Sequence, residues 1–316
     1  MAKITFRLSL LGLIGSFSLM LGAAGIAAEP PRCPDRARIV MQVLGSGGPE
    51  LASGRAGSSY LVWVDGRARV LVDSGSGSLL RFVESGAREA DLRLLALTHL
   101  HTDHAGDIVA LAKRSFFNGR SRALPVSGPT GSGAFPAVDI FLERLLGREG
   151  AFGYLAGALD GTGGLLELEP IVVPAKINAE SSAIQVFDSG GLSVQAVAVR
   201  HGSVPALGYR VNIADKVIVF SGDQDGGEAG FWELANDADL LVIHLAIPEQ
   251  AGPAAKRLHA TPSRWAEGIR QANVNRVVVS HLMKRSERNL EDSLDILADG
   301  FDGTIDVAED LGCFPL

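Results

Sequence analysis

The stretch that most constrains this chain is Leu97-Thr98-His99-Leu100-His101-Thr102-Asp103-His104-Ala105-Gly106-Asp107-Ile108, where three of the chain's seven histidines and a carboxylate fall within six consecutive positions. The charge-free run Leu94-Leu95-Ala96-Leu97 before it has the composition of a strand buried on both faces of a covered sheet. After it, Ala105 to Ala112 carries apolar residues at helical spacing, which predicts a helix. The histidines therefore sit on a strand-to-helix loop, where a rigid scaffold can aim side chains into a cleft. Imidazole and carboxylate are the ligands preferred by zinc and its first-row neighbours. A His-x-His pair can face one metal while Asp103 and His104, displaced along the loop, face a second.

The chain opens with Lys3 and Arg7, an apolar run from Leu8 to Leu21 and small residues up to Ala27 and Ala28. These are the three regions of a secretory signal peptide, so residues 1–28 read as a leader and 29–316 as one mature domain. The apolar core is shorter than the roughly 20 residues of a membrane span. A chain of 316 residues can bury a full core. Its net charge of -7 gives a nucleic-acid partner no electrostatic support. Export places the chain's two cysteines, Cys33 and Cys313, in an oxidising compartment, where they either form a disulfide tying the termini or remain free thiols.

Strands are expected at Ala37 to Leu44, Ser59 to Val64 and Arg69 to Val72, with Asp65-Gly66 as a hairpin turn and a helix from Ser78 to Glu84. The Gly-rich loops Gly45 to Pro49 and Asp73 to Gly77 carry no phosphate-binding fingerprint and read as turns. A strand at Leu124 to Pro129 and a helix from Ala137 to Gly147 follow, whereas Gly150 to Pro174 has no clear period. In the second half, Leu192 to Val199 delivers His201, and Lys216 to Phe220 runs into Ser221-Gly222-Asp223. Ala238 to His244 and Asn275 to His281 are two more strands ending in histidine, and His259 precedes a helix running to about Gln271.

The pattern His99, His101, Asp103, His104 resembles the His-x-His-x-Asp-His signature of the metallo-β-lactamase superfamily, whose members are αββα sandwich hydrolases. The hairpin running into Val72-Asp73-Ser74-Gly75, and His201 followed by Pro205 and Gly208-Tyr209-Arg210, resemble its ribonuclease Z and arylsulfatase-like branch. Ribonuclease Z carries Glu after the residue matching His244, where this chain has Leu245, and no basic insertion matches that family's tRNA-binding arm. The resemblance implies an α/β (α+β) fold, a four-layer αββα sandwich over roughly residues 37 to 312, with the metals at the edge where the ligand-bearing strands end.

It also implies the ligands. His99, His101 and His201 form one site, Asp103, His104 and His281 the second, and Asp223 bridges them. Asp73 is the residue that supports the metal loop, and His244 is either packed core or support for a ligand. Two Zn²⁺ per chain are expected, with Mn²⁺ or Fe²⁺ also suited to a set containing carboxylates. A water shared by two such ions is acidified and attacks the ester. Asp103 would orient that water, and His259 would stabilise the transition state or protonate the leaving group. The expected activity is therefore an exported, periplasmic or secreted, binuclear hydrolase of a small ester, a phosphodiester or aryl sulfate. A lactone or β-lactam substrate is the alternative, and a non-catalytic metal-binding protein the alternative from another class. The partner expected is the small-molecule ester, with no nucleic acid and no membrane after leader cleavage; a homodimer is compatible with the resemblance.

Overall fold

Leu94, Leu95 and Ala96 are fully buried, as an apolar strand inside a covered sheet must be. Their side chains alternate between two cores: Leu94 and Ala96 face the opposite sheet, and Leu95 faces the helices outside. The computed structural model describes residue 33 and residues 37–51, 54–118, 122–176 and 182–316. The leader read at residues 1–28 lies outside the described residues.

Among these, two seven-stranded sheets form. The first contains β1 (Ile39–Gly45), β2 (Ser59–Val64), β3 (Arg67–Val72), β4 (Leu94–Ala96), β5 (Leu124–Pro129) and β6 (Leu168–Val173). The second contains β7 (Ile184–Ser189), β8 (Leu192–His201), β9 (Val204–Ile213), β10 (Lys216–Phe220), β11 (Leu240–His244), β12 (Arg276–Ser280) and β13 (Thr304–Val307). The last strand, β14 (Cys313–Pro315), returns to the first sheet beside β1. Each half has the same plan: an antiparallel meander, β1 to β3 or β7 to β10, continued by parallel strands, β3 to β6 or β10 to β13.

One core lies between the sheets, joining Met41, Val43 and Val72 to Val194, Tyr209, Phe220 and Val242. Two others lie outside. Helices Ile108–Asn118 and Val138–Leu146 cover the first sheet, and helices Ala229–Ala235, Pro262–Gln271 and Leu290–Ala298 cover the second. The result is the four-layer αββα sandwich that the resemblance implies. No helix of the described residues is long and apolar enough to cross a membrane.

The boundaries of the expected elements agree with the structure within a residue or two except at the histidine loop, while strands β6, β7, β9, β13 and β14 were not expected. The helix expected from Ala105 to Ala112 is broken into Thr102–Ala105 and Ile108–Asn118. At the break, the Asp107 amide donates to the Ser74 carbonyl at 2.9 Å, tying the loop to the end of β3 instead of continuing the helical ladder. Strands β6 and β7 were not readable because both are sheet edges with several exposed side chains, and β6 contains Pro170, which only an edge or irregular position tolerates. The Asp65-Gly66 turn is as expected, with φ of 48° and 69°, the paired left-handed conformation of a tight hairpin.

Pairing of β14 with β1 sets Cys313 opposite Gln42, and Cys313 forms a disulfide with Cys33 across a Cα–Cα distance of 5.6 Å. Of the two alternatives for the cysteines, the structure has the bridge. It closes a loop spanning 280 positions of sequence, so its loss releases a large unfolded-state entropy. Reduction is expected to lower the unfolding free energy by about 2–4 kcal/mol. Urea unfolding with and without reductant checks this, alongside a thiol count finding none free in the unreduced protein.

Candidate metal centre

The ends of β4, β8, β10, β11 and β12 and the loop before helix Pro262–Gln271 converge at one edge of the sandwich. They bring together every residue that the sequence reading assigned to the metals. His99 and His101 follow β4, with His99 Nε2 and His101 Nδ1 3.0 Å apart, and His201 closes the group from the end of β8. One ligand atom from each of the three lies within 4.8 Å of the others.

The second group forms around His104 and His281. His281 Nε2 lies 3.2 Å from Asp103 Oδ2 and 3.3 Å from Asp223 Oδ1; His104 Nε2 lies 3.5 and 3.7 Å from the same two atoms. The other oxygen, Asp223 Oδ2, lies 3.7 Å from His201 Nε2 and 3.7 Å from His259 Nδ1. One carboxylate thus faces both groups, the arrangement expected of a bridge. His244 also falls among these residues: its Nδ1 is 2.7 Å from Asp223 Oδ1 and its Nε2 2.9 Å from the Tyr60 hydroxyl.

Local constraints aim these side chains. Asp73, at the end of β3, accepts hydrogen bonds from the Thr98 amide at 2.7 Å, the Thr98 hydroxyl at 2.8 Å and His104 Nδ1 at 2.8 Å. The last bond commits Nδ1 of His104 as a donor and turns Nε2 toward the cluster. His201 is fixed in the same way, its Nδ1 donating to the Leu258 carbonyl at 2.8 Å. Asp73 and His281 both hold left-handed backbones, with φ of 58° and 57°. Conformations this costly for a side-chain-bearing residue persist where surrounding structure enforces them, commonly at functional sites. Gly75 lets the loop after β3 pass under the metal loop, for a Cβ there would lie 2.1 Å from the Asp103 carbonyl oxygen.

The electrostatics are those of a cation site. Burial holds His99 and His101 below the usual imidazole range. Burial also pushes His244 down to about 4 and His259 to about 3, against the pull of Asp223. For Asp103 and Asp223, burial favours the neutral acid, but the facing His104 and His281 outweigh it and hold both carboxyls far below the carboxylate range. His104 and His281 are raised in turn: burial opposes their charge, but Asp103 and Asp223 overcome it.

Nε2 of His104, His201 and His281 is buried and without a hydrogen-bond partner. Buried polar atoms are seldom left so, and here the three converge with two carboxylates. Imidazole and carboxylate donors of this kind fit divalent zinc, and a shared carboxylate suits a pair of ions. The sequence had shown less of the support behind these donors. Tyr60 and Ser280 lie in apolar strands, where nothing local in the sequence marks a hydroxyl that takes part in the site.

Residues 52–281 match the family model described as the metallo-beta-lactamase superfamily. The chain is 30% identical over 286 residues to a ribonuclease Z of Mycobacterium avium, covering 86% of this chain and 96% of that one. Among solved structures, the short form of human tRNase Z superposes with a TM-score of 0.66 at 20% identity, covering 87% of this chain and 98% of that one. The metallo-beta-lactamase fold protein YhfI of Bacillus subtilis does so with a TM-score of 0.65 at 18% identity, covering 87% and 99%.

The mycobacterial relative overturns the expectation that nucleic acid is no partner. That expectation rested on a net charge of -7 summed over the whole chain, whereas a phosphate at a metal centre meets the local field.

Removing Asp103 takes a carboxylate from the second group only, so Asp103→Ala is expected to lower bound metal from about two ions per chain to about one. Elemental analysis of the purified variant checks this, and an undiminished count would contradict the assignment of Asp103.

Proposed function

We propose, since this chain belongs to the metallo-beta-lactamase superfamily, that it is a metal-dependent phosphodiesterase acting on RNA. The observation that carries the reading is the pair of histidine groups sharing one carboxylate, Asp223. The relative named ribonuclease Z supports the substrate class, because the match spans nearly the full length of that protein. A cavity of about 560 Å³ opens beside His201, with Lys176 and Arg200 in its wall, and could seat an anionic substrate next to the metal ligands.

His99, His101 and His201 would hold one ion, Asp103, His104 and His281 the second, and Asp223 both. When bound, such a pair supplies an acidified water as nucleophile and draws charge from the phosphate. The chain's own residues do the rest. Asp103, whose carboxyl is held far below the usual carboxylate range because His104 and His281 outweigh its burial, can accept a hydrogen bond from the attacking water and orient it. His259 is neutral at working pH and offers one N–H to a phosphoryl oxygen. Asp73, through His104, keeps the metal loop from moving as charge develops. Small phosphodiesters contain the same reacting bond and are expected substrates as well.

Export is part of the same reading. The leader features at residues 1–28 and the Cys33 to Cys313 disulfide both support an oxidising compartment. A mature amino terminus at Ala28 or Glu29 in the periplasmic or secreted fraction would bear this out, and full-length chain in the cytoplasm would contradict it.

The wild type is expected to hydrolyse bis-p-nitrophenyl phosphate and RNA oligonucleotides in a chelator-sensitive way. Turnover of p-nitrophenyl sulfate or a cephalosporin in their place would redirect the reading to another bond class. His259→Ala should lower kcat on both phosphodiesters about 100-fold or more with metal content retained.

A further inference from the structure

His244 falls within ligand distance of His104, Asp223 and His281, so geometry alone admits it as a metal ligand. Its hydrogen bonds decide otherwise. Nε2 of His104, His201 and His281 is left without a partner, whereas both ring nitrogens of His244 are engaged. Nδ1 lies 2.7 Å from Asp223 Oδ1, and Nε2 lies 2.9 Å from the Tyr60 hydroxyl. Tyr60 is itself 2.9 Å from Ser280 Oγ, and all three side chains are buried. A carboxylate can only accept, so Nδ1 of His244 carries a proton toward Asp223, while the Tyr60 hydroxyl donates to Ser280 Oγ.

The members of this chain of bonds come from different parts of the sandwich. Tyr60 lies on β2 of the first sheet, His244 and Ser280 at the ends of β11 and β12 of the second, and Asp223 just beyond β10. Ser280 immediately precedes His281. The paired register of β11 and β12 sets His244 against Ser280.

We propose that His244, held by Tyr60 and Ser280, is a positioning residue that fixes the plane of the Asp223 carboxylate, so that Oδ1 faces His104 and His281 while Oδ2 faces His201. A free carboxylate at the end of a strand could rotate about its terminal torsion, which is broad and weakly restrained. The 2.7 Å bond to Oδ1 removes that freedom and leaves each oxygen aimed at its own histidine group. Tyr60 extends the restraint to the opposite sheet, so the relative placement of the sheets is coupled to the orientation of the shared carboxylate. The inference rests on the reading of the cluster as a metal centre but not on the nature of the substrate.

The test is zinc affinity, measured by chelator competition on the folded full chain, for Tyr60→Phe, His244→Asn and His244→Ala. Tyr60→Phe keeps the ring and removes only the hydroxyl. It is expected to weaken zinc binding about tenfold, and His244→Ala up to about a hundredfold, the range found when partners behind metal ligands are removed. His244→Asn retains a donor near the position of Nδ1 and should recover part of the loss seen in His244→Ala. Circular dichroism and melting in chelator confirm that each variant folds, and Tyr60→Phe stands as the decisive variant if His244→Ala does not. Wild-type affinity in both Tyr60→Phe and His244→Asn, with no difference between His244→Asn and His244→Ala, would overturn the positioning role. Failure of the wild type to bind zinc at all would instead overturn the metal-centre reading beneath it.

Discussion

Burial of imidazoles and carboxylates together at one edge of the sandwich is the constraint on which the rest of this structure depends. His99, His104, His201, His281 and Asp223 are all nearly or fully inaccessible to solvent, and several of their polar atoms lack hydrogen-bond partners. Such a cluster is costly to leave in a dry interior, and divalent cations resolve the cost by accepting the nitrogen lone pairs and neutralising the carboxylates. The supporting structure answers to that arrangement. Strand ends set the ligand positions, Asp73 fixes one histidine and the start of the metal loop, and the left-handed backbones of Asp73 and His281 hold conformations that a less constrained chain would relax.

Two sheets of equal size supply that precision. The inter-sheet core, with Met41, Val72, Tyr209 and Phe220 among its buried members, locks the halves of the sandwich face to face. Tyr209 also donates to the Leu97 carbonyl at 3.0 Å, directly behind the histidine motif. Ligands drawn from both halves can then share one carboxylate, because the distance between the halves is set by packed side chains and not by loops. The shared plan of the halves, a meander continued by parallel strands, brings equivalent strand ends to the same edge.

Much of this was legible in the sequence, and the pattern of successes has a physical basis. The metal loop was readable because His99, His101, Asp103 and His104 are adjacent, and because a fully apolar strand is a strong signal of a covered sheet. His201, Asp223 and His281, distant in sequence, were singled out through the resemblance to the superfamily, and the structure brings all three into the same cluster. The edge strands β6 and β7 were not readable, since an exposed edge need not alternate cleanly and carries little hydrophobic signal. Nor was the role of the Tyr60 hydroxyl, whose partners His244 and Ser280 lie 184 and 220 positions away along the chain. The mistaken exclusion of nucleic acid has the same origin: net charge is a sum over the chain, whereas recognition is local.

The account turns on whether this cluster holds a pair of metal ions that the protein uses as one centre. Calorimetric titration of chelator-treated protein with Zn²⁺, followed by addition of bis-p-nitrophenyl phosphate at each step, tests this most directly. The account predicts uptake of about two ions per chain, with hydrolysis rising steeply only as the second site fills. Absence of zinc uptake, or phosphodiester hydrolysis that is undiminished in the metal-free protein, would contradict it.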